Sequence, residues 1–300
     1  MTGRAQGRDA RPPVPPPLDG TAVVVVNYES GPALRACVEG WRDEHPSELV
    51  VVDNGSTDGS VDELARAVPD ARLLVTGRNL GYGAAANRGV AATTAPSVLV
   101  CNPDLVVRPG VLAALSKVLE DDAGCALVGP LVRTPGGDRY PSARRFPSMV
   151  DAAGHAVLGI FAPDNRFTRS YQQAGLTGSD VGPQRVDWVS GACFLVRRAA
   201  FEQVGGFDES YFMYAEDVDL CWRLGQAGWR VGYAPTAEVT HLQGVSTDRH
   251  PYRMIAEHHR SLLRFAARST RGWRRVLLPA VALGIAVRAA LACLARATAT

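Results

Sequence analysis

Between residues 21 and 130, apolar runs of strand length alternate with stretches whose apolar residues recur at helical spacing. The strand-like runs cover 22–27, 49–53, 72–75, 98–101 and 126–129, and the helical patterns cover 32–42, 60–68, 83–92 and 109–120. This alternation predicts an α/β fold with a mostly parallel central sheet flanked by helices. From 131 to 185 the chain becomes rich in Gly, Pro, Arg and Ser, which predicts irregular loops and a helix pair over the site. Order returns with a strand pair over 186–196, a short helix closing at 201–204 and a turn at Gly205-Gly206-Phe207. A helix over 215–227, strands at 231–234 and 237–241, and an amphipathic helix over 254–267 follow.

The tail has its own pattern. Arg274-Arg275 precede an apolar run over 276–287, which Arg288 separates from a second run over 289–295. The first run falls short of the about 20 apolar residues that a spanning helix needs. It predicts a C-terminal helix lying in a membrane interface, its arginines among the headgroups. Packing on the domain, or on a second copy in a homodimer, is the competing reading.

Composition narrows the function classes. A chain of 300 residues with 46% apolar content has ample core for one large domain or two small ones. A net charge of +2 with scattered arginines leaves no footprint for nucleic acid. The six cysteines show no CxxC spacing and several lie inside apolar runs, as expected of reduced, buried thiols in a cytoplasmic protein. No secretory signal is visible, and residues 1–20, with a proline-rich stretch at 11–17, read as a disordered leader.

The candidate chemistry gathers where apolar runs end. The run at 49–53 stops on Asp53 and continues into Asn54-Gly55-Ser56-Thr57-Asp58; the run at 98–101 stops before Asn102-Pro103-Asp104. In a parallel sheet ligands lie at the carboxyl ends of strands, although an ordinary strand-to-helix turn capped by Asp and Ser has the same composition. Between them lies the glycine-punctuated turn Asn79-Leu80-Gly81-Tyr82-Gly83, running on to Asn87. It matches neither the dinucleotide fingerprint nor a P-loop. Glu216 and Asp217 fall at the first turn of a predicted helix, where capping alone accounts for one acid. With apolar walls from Tyr211-Phe212-Met213-Tyr214, a carboxylate there suits a general base. Asp104 and His241, each at a strand end, can share a divalent metal with diphosphate oxygens, and Asn102 adds a neutral oxygen.

Taken in order, these motifs resemble the family 2 inverting nucleotide-sugar glycosyltransferases of GT-A fold, most of all the bacterial rhamnosyltransferases of cell-wall assembly. The resemblance spans residues 21–247 and includes Trp188-Val189-Ser190-Gly191, Gly206-Phe207-Asp208-Glu209 and Glu216-Asp217 through Arg223. It implies a catalytic domain over 21–250, with a nucleotide-sugar half at 21–130 and an acceptor half at 131–250, followed by tail helices over 251–300. By the same resemblance Asn27 and Tyr28 flank the nucleobase and Asp53 holds base or ribose. Asn79, Gly81 and Asn87 shape the nucleotide pocket, and Gly191 lies in the donor site. Asn102, Asp104 and His241 bind Mg²⁺ or Mn²⁺, and Asp217, with Glu216 beside it, is the base. Asn102 stands where the family's motif carries its first aspartate, which weakens charge at the metal.

The implied donor is dTDP-L-rhamnose and the implied acceptor a polyprenyl-diphospho-N-acetylglucosamine. The implied location is peripheral, on the inner face of the plasma membrane. Three alternatives stay open: another donor such as galactofuranose, for O-antigen or capsule; an inactive sugar-nucleotide-binding scaffold; and a dinucleotide oxidoreductase, which lacks its glycine fingerprint.

Overall fold

The computed structural model describes residues 20–146, 182–242 and 251–298. The expected leader and helix pair fall largely on 1–19 and 147–181, outside the described residues. The strands are β1 (Thr21–Asn27), β2 (Glu48–Asp53), β3 (Arg72–Val75), β4 (Ser97–Cys101), β5 (Leu105–Val107) and β6 (Cys125–Arg133). After them come β7 (Arg139–Tyr140), β8 (Ala143–Arg144), β9 (Gln184–Val186), β10 (Trp188–Val189), β11 (Cys193–Arg197) and β12 (Arg230–His241). The helices are α1 (Ala33–Asp43), α2 (Ser60–Ala67), α3 (Tyr82–Ala91), α4 (Val111–Asp121), α5 (Arg198–Gln203), α6 (Glu216–Gln226), α7 (Pro251–Ser269) and α8 (Leu278–Thr298).

The main sheet runs β3-β2-β1-β4-β11-β6-β12-β5, with β7 added to β6 and β9 to β12. Strands β3, β2, β1 and β4 are mutually parallel, as are β6 and β12. Strand β11 enters antiparallel between β4 and β6 and joins the two parallel halves. The valines of β1 are buried, because helices cover both faces; an unbroken apolar run, rather than alternation, is the pattern that such burial requires. On one face Leu34, Val38 and Trp41 of α1 pack with Leu115 and Leu119 of α4. On the other, Ala85, Ala86 and Val90 of α3 pack with Leu220 and Leu224 of α6.

Several elements differ from the sequence expectation, among them the short strands β7, β8 and β9 in the stretch expected as loops. The two strands expected at 231–234 and 237–241 are one, β12, with a register shift between Ala234 and Glu238. Pro235 has no N–H for a ladder, so the strand bulges there and resumes. Strand β5 was not foreseen; three residues carry too little pattern, yet it pairs Leu105 with His241 across β12. Finally, the turn of 3₁₀ helix at Gly272–Leu277 feeds directly into α8. Backbone hydrogen bonding continues through Arg288, so the helical stretch Gly272–Ala297 is, by length and composition, long and apolar enough to cross a membrane. None of its most apolar window is buried among the described residues, and α8 packs mainly against α7.

Close approach of α3 to the sheet depends on Gly89. A Cβ there would lie 2.3 Å from Cγ1 of Val24 and 2.8 Å from Cγ2 of Val52, both buried. Gly89→Ala is therefore expected to cost about 1–3 kcal/mol by overpacking. Urea unfolding checks this, and an unchanged midpoint would contradict the packing.

Candidate active site

The polar residues at the carboxyl ends of β1 and β2 form a closed network. Asn27 lies opposite Asp53 in the parallel register and is fully buried. Its amide nitrogen donates to Asp53 Oδ1 at 3.0 Å, Ser56 Oγ at 3.1 Å and Ser60 Oγ at 3.2 Å, and its oxygen accepts from the Ser30 hydroxyl. Asp53 accepts backbone N–H groups of Gly55 and Ser56 at 3.3 and 3.2 Å. The Asn27 carboxamide thus braces Asp53 and the 53–60 loop. Tyr28, the next residue, is half-buried. Two further buried residues, Glu29 and Asn54, which carry no role in the sequence expectation, complete the network. Glu29 accepts from Thr57 N at 2.7 Å and Thr57 Oγ1 at 2.9 Å. Asn54 donates to Asn79 Oδ1 at 3.0 Å and to the Gly81 carbonyl at 3.2 Å, and accepts from Leu80 N at 2.9 Å. Their signal was there to read, since each polar residue adjoins the end of an apolar strand.

The glycine turn docks this network onto the acid segment. Gly81 has φ +90°, and a Cβ on it would lie 2.3 Å from the Phe212 carbonyl oxygen. Tyr82 N donates to that same oxygen at 3.1 Å, and the Tyr82 hydroxyl donates to the Gly191 carbonyl at 2.5 Å. Asn79 accepts from Gly81 N at 3.0 Å. Asn87 ties α3 to the turn before Tyr211. It donates to the Phe207 carbonyl and accepts from Phe207 N, both at 2.9 Å, and so clips the 205–207 turn.

Asn102, Asp104 and His241 do come together. Pairing of β5 with β12 sets His241 Nε2 at 3.1 Å from Asp104 Oδ1, and the Asn102 carboxamide is 3.1 Å from the same nitrogen. The Nδ1 atom of His241 is buried without a hydrogen-bond partner. Imidazole, carboxylate and carboxamide form a mixed donor set suited to Mn²⁺ or Mg²⁺ once further oxygens arrive. Among the described residues no three His, Cys, Asp or Glu side chains group to hold a metal. The set therefore fits a cation shared with diphosphate, and does not form a cage by itself.

Glu216 and Asp217 open α6. The two residues before them, Tyr214 and Ala215, are left-handed, at φ 67° and 62°. Each such conformation costs a non-glycine residue about 1–2 kcal/mol. Asp217 Oδ2 accepts from Gly191 N at 2.7 Å, and its Oδ1 from Val218 N at 2.8 Å. Burial pushes the Asp217 carboxyl up and these two donors oppose it. Glu216 is buried with Oε2 unpartnered; burial, reinforced by the neighbouring Asp217 charge, raises its carboxyl to about 8. Like charges this close resist joint ionisation. The backbone donors favour the charge on Asp217 over Glu216.

Residues 16–263 match the family described as glycosyltransferase like family 2. The chain belongs to that family. The glycosyltransferase is 44% identical over 273 residues to N-acetylglucosaminyl-diphospho-decaprenol L-rhamnosyltransferase of Mycobacterium tuberculosis, covering 87% of this chain and 88% of that one. It is 30% identical over 172 residues to rhamnosyltransferase WbbL of Escherichia coli, covering 57% and 61%. Among solved structures, mannosyltransferase PcManGT from Pyrobaculum calidifontis, in complex with GDP-Man and Mn²⁺, superposes with TM-score 0.55 at 20% identity over 93% of this chain and 75% of that one. GalNAc-T7 with UDP, GalNAc and Mn²⁺ gives 0.57 at 15% identity, over 74% and 44%. These structures share the GT-A-like fold with this glycosyltransferase.

A raised Glu216 has a consequence for stability. Its native carboxyl, near 8, lies above the ordinary 4.5, so the folded state holds a proton that the unfolded chain releases. The contribution is fully present below the ordinary value and fades as pH rises toward 8. Glu216→Gln should therefore raise the melting temperature at pH 8 and flatten its decline over that window. Parallel melting curves for variant and parent across pH would contradict the assignment.

Proposed function

We propose that this glycosyltransferase moves L-rhamnose from dTDP-L-rhamnose to a polyprenyl-diphospho-N-acetylglucosamine, with inversion at the anomeric carbon. The observation that carries the reading is the 44% identity to the mycobacterial rhamnosyltransferase, sustained over 87% of this chain. The convergence of Asp104 with His241, and the separate charged Asp217, support the chemistry.

Asp217 takes the proton from the acceptor hydroxyl as that oxygen bonds to the anomeric carbon. The bond from that carbon to the diphosphate oxygen breaks on the opposite face, and its electron pair leaves with the nucleoside diphosphate. One displacement inverts the centre and requires no enzyme nucleophile. Asp104 and His241, with Asn102 beside them, would hold a divalent cation, which when bound would neutralise charge on the departing diphosphate. The Gly191 N–H aims Asp217 and favours its charged form, while burial raises Glu216 and disfavours a second charge beside it. Helix α8 suits an acceptor anchored in lipid, and the active groups work from the cytoplasmic face. Two relatives whose structures hold Mn²⁺ support the choice of a divalent metal.

The test is sugar transfer from dTDP-L-rhamnose to a short-chain polyprenyl-diphospho-N-acetylglucosamine, with Mg²⁺, Mn²⁺ or a chelator. Metal-dependent rhamnosylation is expected. Transfer from another sugar nucleotide alone would retain the family and discard rhamnose. Asp217→Asn should lower turnover by about 10²–10⁴ with donor binding intact; near-normal turnover would remove Asp217 as the base. His241→Ala should weaken Mn²⁺ binding in the presence of dTDP, read by titration calorimetry, and unchanged affinity would remove it from the metal site.

A further inference from the structure

The strained turn ahead of the acids is not held by the catalytic half alone. Tyr214 and Ala215 are both left-handed, and strain of this kind persists only where the surroundings over-determine it. The surroundings here come from α7. Ser261, buried on that helix, donates its hydroxyl to the Met213 carbonyl at 2.9 Å. The His258 ring meets Tyr214 edge-on at 5.2 Å. Arg253 stacks over Phe212 and Arg264 over Tyr211, at 4.8 and 5.6 Å. Four residues of one helix thus touch the four consecutive residues Tyr211 to Tyr214.

The far end of α7 is tied to α6 by charge. Asp219, fully buried two residues after Asp217, accepts from Arg223 Nε at 2.6 Å and pairs with Arg268 at 3.1 Å. Arg268 also pairs with Asp208, in the segment that leads into Tyr211. One guanidinium of α7 therefore bridges both flanks of the acid segment.

We infer that Arg268 is a positioning residue: through Asp208 and Asp219, α7 clamps the left-handed Tyr214–Ala215 turn and so aims Asp217 at the acceptor. The inference rests on Asp217 being the base. It makes the first tail helix part of the catalytic apparatus rather than an appendage.

Arg268→Ala should lower kcat by about tenfold or more, in line with the sensitivity of rate to small misplacement, with the donor KM unchanged. Arg268→Lys, which keeps a cation between the two carboxylates, should recover part of the loss. Hydrogen–deuterium exchange, which needs no substrate, should show faster exchange at 211–217 in Arg268→Ala and unchanged exchange in β1 and β2. Should Arg268→Ala fail to fold, Ser261→Ala removes only the hydrogen bond to Met213 and should give the same two changes in smaller measure. Full kcat with either soluble variant overturns the clamp, as does a kcat loss accompanied by loosening throughout the chain. An active Asp217→Asn enzyme would instead overturn the base assignment, and the exchange result would still stand as measured.

Discussion

Burial of β1 on both faces is the constraint from which the rest of this molecule follows. A strand with helices above and below cannot carry polar side chains along its length, so they accumulate where it ends. Asn27 and Asp53, abreast at the ends of β1 and β2, are still buried and must find partners. They find each other, together with the serines and N–H groups of the 53–60 loop. An unmet polar group at this depth costs about 1–3 kcal/mol. The loop conformation is therefore dictated from beneath by the sheet.

The same logic carries the signal sideways. Asn54 gives its hydrogen bonds to the 79–81 turn, and that turn presses Gly81 against the Phe212 carbonyl. Only a residue without Cβ permits two backbones to meet so closely. Tyr82 then reaches Gly191, whose N–H holds Asp217. A continuous chain of contacts thus joins the strand ends of the first half to the acids of the second.

At those acids, desolvation and donor count separate two neighbouring carboxyl groups. Asp217 has backbone donors on both oxygens, whereas Glu216 has an unpartnered oxygen in a dry setting. The donors favour the charge on Asp217 over Glu216, a difference that sequence adjacency alone would never suggest. Helix α7, reaching back from beyond residue 250, then holds the strained turn that precedes them.

The sequence by itself determined the layered α/β architecture, because periodicity of burial is a local property: valine runs report two covered faces and spaced leucines report one. It also located Asp104, His241, Glu216 and Asp217, since each interrupts an apolar pattern at an element's end. What it could not reach was partnership across long separations. That Asn27 braces Asp53 and Asn87 clips Phe207 is invisible in one dimension, because these partners become neighbours only when the chain folds. The three-residue strand β5 was illegible for the same reason; its pairing energy comes from β12, more than a hundred residues on. Only the tertiary structure could join Arg268 to Asp208 and Asp219, since a salt bridge leaves no periodic trace in sequence.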